Sequence, residues 1–430
     1  MLIRFEASNY RSMAVPTELS MVAIDRDRPA ARDQPMLGES LLPVAAIFGP
    51  NASGKSNFIA AFAWVRDAVQ HSLRMWDDEI PIEPFAFGAG PSKPSEFVIE
   101  SIIDGIRFEY ALEIDREQVL YEGLFHYPEK KRRRIFERDG NELRLQRGLG
   151  GLSGTRELLT ERALALSIAR RFDEPLVSNF ARDLLRAQTL GLTQRRPGSF
   201  PRTKYSSVGS PATLQWFGER DQLSLFGDRE LPASGLEGAD RAQALSLLRL
   251  ADLGIEDVVI DKQEVSFPES SEVRTRRRVR LIHRTADERA PLEFAAESEG
   301  TRTWFQLIGP VLTALREGSL LLFDELDASL HPTLSAQLIQ LFHDTTTNPL
   351  GAQLVFTSHD TSLLNHLNRD EVWLTDKGPD GSTRLGALAE FAGERVRKSQ
   401  NLENAYLHGR FGALPEIDRT PFLRALGLIG

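Results

Sequence analysis

Apolar positions fall along the chain in three rhythms, and each predicts a different kind of element. Short apolar or alternating runs at Met1–Phe5, Thr17–Ile24 and Leu41–Phe48 predict strands, the last halted by Gly49. Helical spacing with few breakers follows over Phe58–Leu73, so strand, glycine turn and helix read as the βα unit of a parallel sheet. From Glu96 to Arg147 the rhythm shortens. Phe97-Val98-Ile99, Phe108-Glu109-Tyr110, Val119-Leu120-Tyr121 and Ile135-Phe136 are separated by turn signals such as Asp104-Gly105 and Asp139-Gly140. That pattern predicts an antiparallel meander.

The second half alternates differently. Thr155–Leu190 carries Leu, Ala and Arg at helical spacing and reads as a helical insertion. Arg195–Leu236 is broken by Pro197-Gly198, Gly209-Ser210-Pro211 and Pro232, as a linker would be. Asp240–Leu250 predicts a helix with Asp240 as N-cap, and Val258–Ile260 and Val273–Ile282 predict strands of a second lobe. Beyond Thr303, helix (Trp304–Arg316), strand (Leu320–Phe323), helix (Thr333–His343) and strand (Gln353–Thr357) alternate, which indicates an α/β fold.

Composition narrows the field. A chain of 430 residues has room for roughly three domains of about 150 residues. It has no cysteine, which excludes disulfides, Cys-ligated metal and a thiol nucleophile, and fits a reducing cytoplasm. No apolar run is long enough to span a bilayer and the first residues lack a signal-peptide pattern, so a cytoplasmic protein without a membrane partner is expected. The net charge of −9 argues against whole-surface attraction for nucleic acid, while local basic patches stay possible.

The chemistry concentrates in two places. Gly49-Pro50-Asn51-Ala52-Ser53-Gly54-Lys55-Ser56 fits G-x-x-x-x-G-K-[ST] between a predicted strand and helix, with Asn57 following. Glycines let the backbone wrap a phosphate, the helix N-terminus faces it, Lys55 reaches the β/γ-phosphates and the Ser56 hydroxyl ligates Mg²⁺. Leu320–Phe323 ends in Asp324-Glu325, where Asp324 would hold Mg²⁺ and Glu325 would orient and deprotonate the attacking water. More than half the chain lies between Lys55 and Asp324, so a large insertion must separate two halves of one nucleotide-binding sheet. Glu297-Ser298-Glu299-Gly300-Thr301 precedes a predicted helix, Asp327–Pro332 follows the acids, and His359 sits at the end of the next strand.

This ordered set resembles the ATPase heads of the ABC, SMC and RecF superfamily. The resemblance implies an α/β P-loop head with an antiparallel meander, a helical insertion and a second α/β lobe. It divides the chain into an N-terminal lobe (1–150), an insertion and linker (151–238) and a C-terminal lobe (239–430). It makes Ser298 and Gly300 a signature turn, Asp327 the start of a D-loop and His359 a switch histidine facing the γ-phosphate. Asn9-Tyr10-Arg11-Ser12 resembles the opening segment of SMC- and RecF-type heads, which makes Arg11 a phosphate contact. In such heads two copies pair head-to-tail, each bound ATP and Mg²⁺ being closed by the partner's signature, so the resemblance implies a homodimer or larger ring. Glu299 departs from the transporter pattern, which has glycine there, and the early strands end in no clear Q-loop glutamine.

More narrowly, Gly49–Asn57, the Glu-Ser-x-Gly-Thr turn, Asp324–Pro332 and Tyr406–Pro415 are similar to RloA-type AAA-family ATPases of antiphage islands. That likeness implies a regulatory ATPase controlling a separate effector, a nuclease being expected; the alternative is a RecF-like, ATP-gated DNA clamp. Within the chain itself, Asp25-Arg26-Asp27 lacks the partner acidic strand of a nuclease domain. Arg278 to His283 fits a short ribonuclease pattern but in a β-rich context. Arg274, Arg276, Arg278 and Arg280 alternate and would share one strand face, able to bind DNA or an acidic protein or simply be solvated. Lys130–Arg134 is a second basic run, near a predicted hairpin.

Overall fold

The computed structural model describes residues 1–192, 211–217, 236–266, 273–284, 288–328, 330–392 and 402–408. Its strands are, in chain order, β1 (Leu2–Ser8), β2 (Thr17–Ser20), β3 (Arg32–Gln34), β4 (Glu39–Leu41), β5 (Val44–Phe48) and β6 (Ser95–Ile103). There follow β7 (Ile106–Ile114), β8 (Val119–His126), β9 (Arg133–Asp139), β10 (Glu142–Leu145), β11 (Gln188–Leu190) and β12 (Ile255–Ser266). The last are β13 (Val273–Arg284), β14 (Arg289–Glu293), β15 (Leu320–Phe323), β16 (Gln353–Thr357), β17 (Val372–Lys377) and β18 (Thr383–Ala387). Two compact units contain them: Met1–Leu192 with Leu322–Glu325 and Leu354–Gly430, and Thr193–Leu321 with Leu326–Gln353.

The first unit holds the expected meander. Seven strands pair in the order β10-β9-β8-β7-β6-β1-β2, and β6 to β10 follow one another antiparallel. Two of its turns pass through glycines at positive φ, Gly105 and Gly140, where a side chain would be strained. Its second sheet runs β11-β15-β16-β5-β17-β18, with β5 parallel to both β16 and β17. Every residue of β5 and β16 is buried, in keeping with the unbroken apolar run of Val44–Phe48 and the apolar centre Leu354-Val355-Phe356 of β16. The 21-residue helix Lys55–Met75 leaves β5 and buries Phe58, Phe62 and Val65. Phe5 of β1 meets Phe58 and Phe62 edge-on at 5.2 Å each, and each such aromatic burial contributes about 1.5–3 kcal/mol.

The segment expected as a helical insertion becomes three short helices, Thr155–Leu158, Ala165–Ala169 and Pro175–Arg186, and folds with the first unit. The reason is a buried acid and a buried base in the meander. Glu122 accepts from the N–H groups of Ala165 (2.5 Å) and Leu166 (2.8 Å) and from the Tyr110 hydroxyl (2.9 Å). Arg138 donates to the carbonyls of Ala163 (2.6 Å), Thr160 (2.7 Å) and Gly140 (2.7 Å). Burial pushes the Glu122 carboxyl up, against the opposing pull of Arg138 and the helix N–H groups.

In the second unit β12, β13 and β14 form an antiparallel sheet, and the helix Glu299–Glu317 packs against helices Pro211–Trp216 and Leu236–Ala251. Pro310 inside the long helix cannot donate, which orphans the carbonyl of Gln306. Thr213 answers it: its hydroxyl donates to Gln306 O (3.2 Å) and accepts from Gly309 N–H (3.0 Å). A Cβ at Gly309 would lie 2.3 Å from Thr213 N, so only glycine permits this contact. Asp240 does not cap its helix, which begins at Leu236; its carboxylate accepts from Arg316 at 2.9 Å. Most of the expected linker, Arg195–Leu236, lies outside the described residues. Among the described residues no helix is long and apolar enough to cross a membrane.

Candidate nucleotide site

The loop after β5 is shaped by glycine where nothing else fits. Gly49 has φ +152 and Gly54 has φ +100; a Cβ on Gly49 would lie 2.2 Å from Thr375 Oγ1, and one on Gly54 2.0 Å from Thr383 Oγ1. Gly54 stands as N-cap of the Lys55–Met75 helix with no side chain capping it, so the helix N-terminus begins at Lys55 and Ser56. Ala52 adopts φ +62, and Asn51 and Ala52 form an exposed tip. Lys55 is buried, and its ammonium donates to the carbonyls of Gly49 (2.8 Å) and Pro50 (3.0 Å). A cation held at the mouth of a backbone loop before a helix N-terminus suits a polyphosphate.

A set of hydroxyls, most of them buried, holds that loop from behind. Ser53 Oγ bonds Thr375 Oγ1 (2.6 Å), which itself donates to Phe48 O (3.2 Å). Thr383 Oγ1 lies 2.7 Å from both Ser53 O and Ser12 Oγ, and the Asn57 amide donates to Ser12 Oγ at 2.6 Å. Ser12 therefore brings the Asn9–Ser12 turn onto the phosphate loop. Arg11 in the same turn places its guanidinium on Glu83, at 2.9 and 3.1 Å, and beside the Tyr10 ring.

Asp324 and Glu325 emerge at the same sheet edge. Asp324 is buried, Glu325 is exposed with φ +56, and only β16 separates their strand from β5. Thr357, fully buried at the end of β16, donates to Asp324 Oδ1 (2.7 Å) and accepts from the Glu325 N–H (2.7 Å). On the other side the Asp324 N–H donates to Leu190 O at 2.9 Å. His359 is exposed two residues past β16. Lys55, the buried Asp324, the exposed Glu325 and His359 thus follow the ends of the neighbouring strands β5, β15 and β16.

Ser298 lies in the second unit, exposed, as N-cap of the Glu299–Glu317 helix, where its hydroxyl accepts from Thr301 N–H at 3.0 Å. Gly300 is half-buried in that helix's first turn. The residue before the cap, Glu297, is buried and bonded at 2.8 Å to His283 of β13. His283, the histidine of the ribonuclease-like pattern, is thus engaged in holding the turn.

Residues 44–365 match the family described as "AAA domain, putative AbiEii toxin, Type IV TA system". The chain belongs to this AAA family. No curated protein matches it. Among solved structures it is similar to an SMC head domain from Thermotoga maritima, at 12% identity and a TM-score of 0.39, over 90% of this chain and 98% of that one. It is also similar to an SmcHead bound to the C-winged helix domain of ScpA, at 12% identity and a TM-score of 0.42, covering 90% and 97%.

Two basic features of this AAA domain are already committed to acids. Arg278 forks onto Glu293, Nε lying 3.0 Å from its carboxylate, and Arg280 bonds Asp261 at 2.6 Å. The side chains of Arg274 and Arg276 lie outside the described residues, as does the segment Gly409–Pro415. In the Lys130–Arg134 run, Arg132 and Arg134 pair with Glu109 and Glu137. Asp25 is held by Arg369 at 3.0 Å. Sequence reasoning missed Ser12, Thr357, Thr375 and Thr383; the available signal was a hydroxyl residue at or near the end of a strand beside each motif. On the side away from β16, the neighbour of β15 is β11, and residues 193–210, which follow β11, lie outside the described residues.

Proposed function

We propose that this chain is a Mg²⁺-dependent ATPase head that closes on a second copy of itself and regulates a separate effector in antiphage defence. The observation that carries the reading is the convergence, on one sheet edge, of the Lys55 loop and the Thr357-fixed Asp324–Glu325 pair. Gly49–Ser56 would bind the phosphates through backbone N–H groups and Lys55. Ser56 and Asp324 would hold Mg²⁺, which when bound neutralises phosphate charge. Glu325 takes a proton from the attacking water, and His359 hydrogen-bonds the terminal phosphate. The exposed signature turn supports closure by a partner's Ser298 and Gly300. The toxin–antitoxin wording of the family description supports the defence role, and the RloA-like motifs support a separate effector, with a nuclease as the expected class. A DNA clamp has less support, because Arg278 and Arg280 are paired with carboxylates.

Glu325→Gln tests the reading. The variant is expected to bind ATP, to lose turnover by about 10²–10⁴-fold, the usual worth of a general base, and to accumulate as a dimer in light scattering. Wild-type turnover in that variant removes Glu325 from the mechanism. Purification together with the product of the neighbouring gene tests the effector.

A further inference from the structure

The geometry points to Thr357 as a positioning residue that sets Glu325 for catalysis by clamping its backbone and the Asp324 carboxylate together; the inference rests on the ATPase reading. A threonine hydroxyl has one hydrogen to give. Here it goes to Asp324 Oδ1 at 2.7 Å, and a lone pair of the same oxygen takes the Glu325 N–H at 2.7 Å. Both bonds are therefore satisfied only with Asp324 as acceptor and Glu325 in its present backbone conformation. That conformation is unusual, with φ +56 on a residue bearing a side chain. Such backbones persist where surrounding contacts over-determine them.

The rest of the clamp is rigid. Thr357 is fully buried, and the next residue, Ser358, donates its N–H to Ile47 O of β5 at 3.2 Å, so the hydroxyl is anchored to the strand that carries the phosphate loop. Across from it, the Asp324 N–H is held by Leu190 O, and a Cβ at Gly191 would lie 1.9 Å from Asp324 O. Asp324 is gripped from both neighbouring strands, while the exposed Glu325 side chain is free of that packing. The position of its carboxylate is therefore set through the backbone, and Thr357 is the group that sets it.

Thr357→Val keeps the shape and removes the hydroxyl. We expect kcat to fall about 10²-fold, the scale of misplacing a reacting group by an ångström, while the Kd for ATP stays within about twofold. In a Glu325→Gln background the same substitution should add nothing to the loss, and Thr357→Ser should restore turnover to within a few-fold. Amide hydrogen exchange at Glu325 should quicken at least tenfold in Thr357→Val, a readout independent of activity. Unchanged kcat overturns the inference, as does an equal loss in both backgrounds or a Thr357→Ser protein as slow as the valine variant. If the valine protein does not fold, Thr357→Ala carries the same expectations. A wild-type chain that binds ATP without hydrolysing it sinks the ATPase reading, and amide exchange then still reports whether the clamp exists.

Discussion

Two buried polar networks in the first unit have opposite designs. Around Glu122 and Arg138 the charged groups are fully buried, and their hydrogen-bonding capacity is spent on the chain's own backbone, at Ala165, Leu166, Thr160 and Ala163. Around the phosphate loop the buried ties are chiefly neutral hydroxyls, Ser53, Thr357 and Thr375; of the groups with chemistry to offer, Lys55 and Asp324 are buried among them and Glu325 and His359 stand exposed at strand ends. Charge consumed inside the fold builds architecture; charge held from behind by neutral groups and turned outward is available to a ligand. Substitutions in the first network should cost stability without altering chemistry, and those in the second should impair chemistry more than stability.

The largest expected effect tests the first half of that contrast. Glu122→Ala removes the acid opposite Arg138 and leaves the buried N–H groups of Ala165 and Leu166 without their acceptor, at about 1–3 kcal/mol for each. Denaturant unfolding should show that loss, and the remaining folded protein should bind ATP with unchanged Kd. A large change in Kd with stability intact would erase the distinction between the two networks.

Gly54→Ala tests the second half. Its φ of +100 disfavours any side chain by about 1–2 kcal/mol, and the new Cβ would press on Thr383 and Ser12. Stability should fall by roughly that amount, while ATP affinity measured by calorimetry should drop more than tenfold, because the loop and the helix N-terminus must shift together. Full affinity in this variant would mean that the loop tolerates rearrangement.

The contrast also explains what was legible in the sequence. The phosphate loop and the double acid were readable because each is local, a glycine-lysine turn and an apolar strand ending in two carboxylates. The meander was readable because its turns are marked by Asp-Gly pairs. Thr357, Ser12 and Thr383 were not, because a hydroxyl's partner is fixed by which strands become neighbours, here β15 with β16 and β18 with the Asn9–Ser12 turn. The same limit applies to Arg278 and Arg280. Their alternation predicted a shared face, but strand register decides that Glu293 and Asp261 lie within reach. Residues 155–190 read as an insertion because the two meander side chains that hold them, Glu122 and Arg138, are distant in sequence.

The smallest expected effect concerns a third buried group in the meander that lacks the partners Glu122 has. His126 of β8 is buried beside Phe108, and neither ring nitrogen has a hydrogen-bond partner. Burial first, and then the positive charge of Arg133, hold its pKa below the ordinary value of 6.5. The unfolded chain therefore takes up a proton before the native one does. Its contribution to stability is fully present above pH 6.5 and declines as pH falls from there toward the lower native value. His71 shifts in the same direction, so the wild-type curve alone does not isolate His126. The difference between wild type and His126→Phe does, since the substitution keeps a ring against Phe108 and removes only this titration. Denaturant unfolding at several pH values should give a constant difference above pH 7.5, and one that moves in favour of phenylalanine between pH 6.5 and 5. Parallel curves across that window would mean that the ring finds a partner for its proton in the folded state.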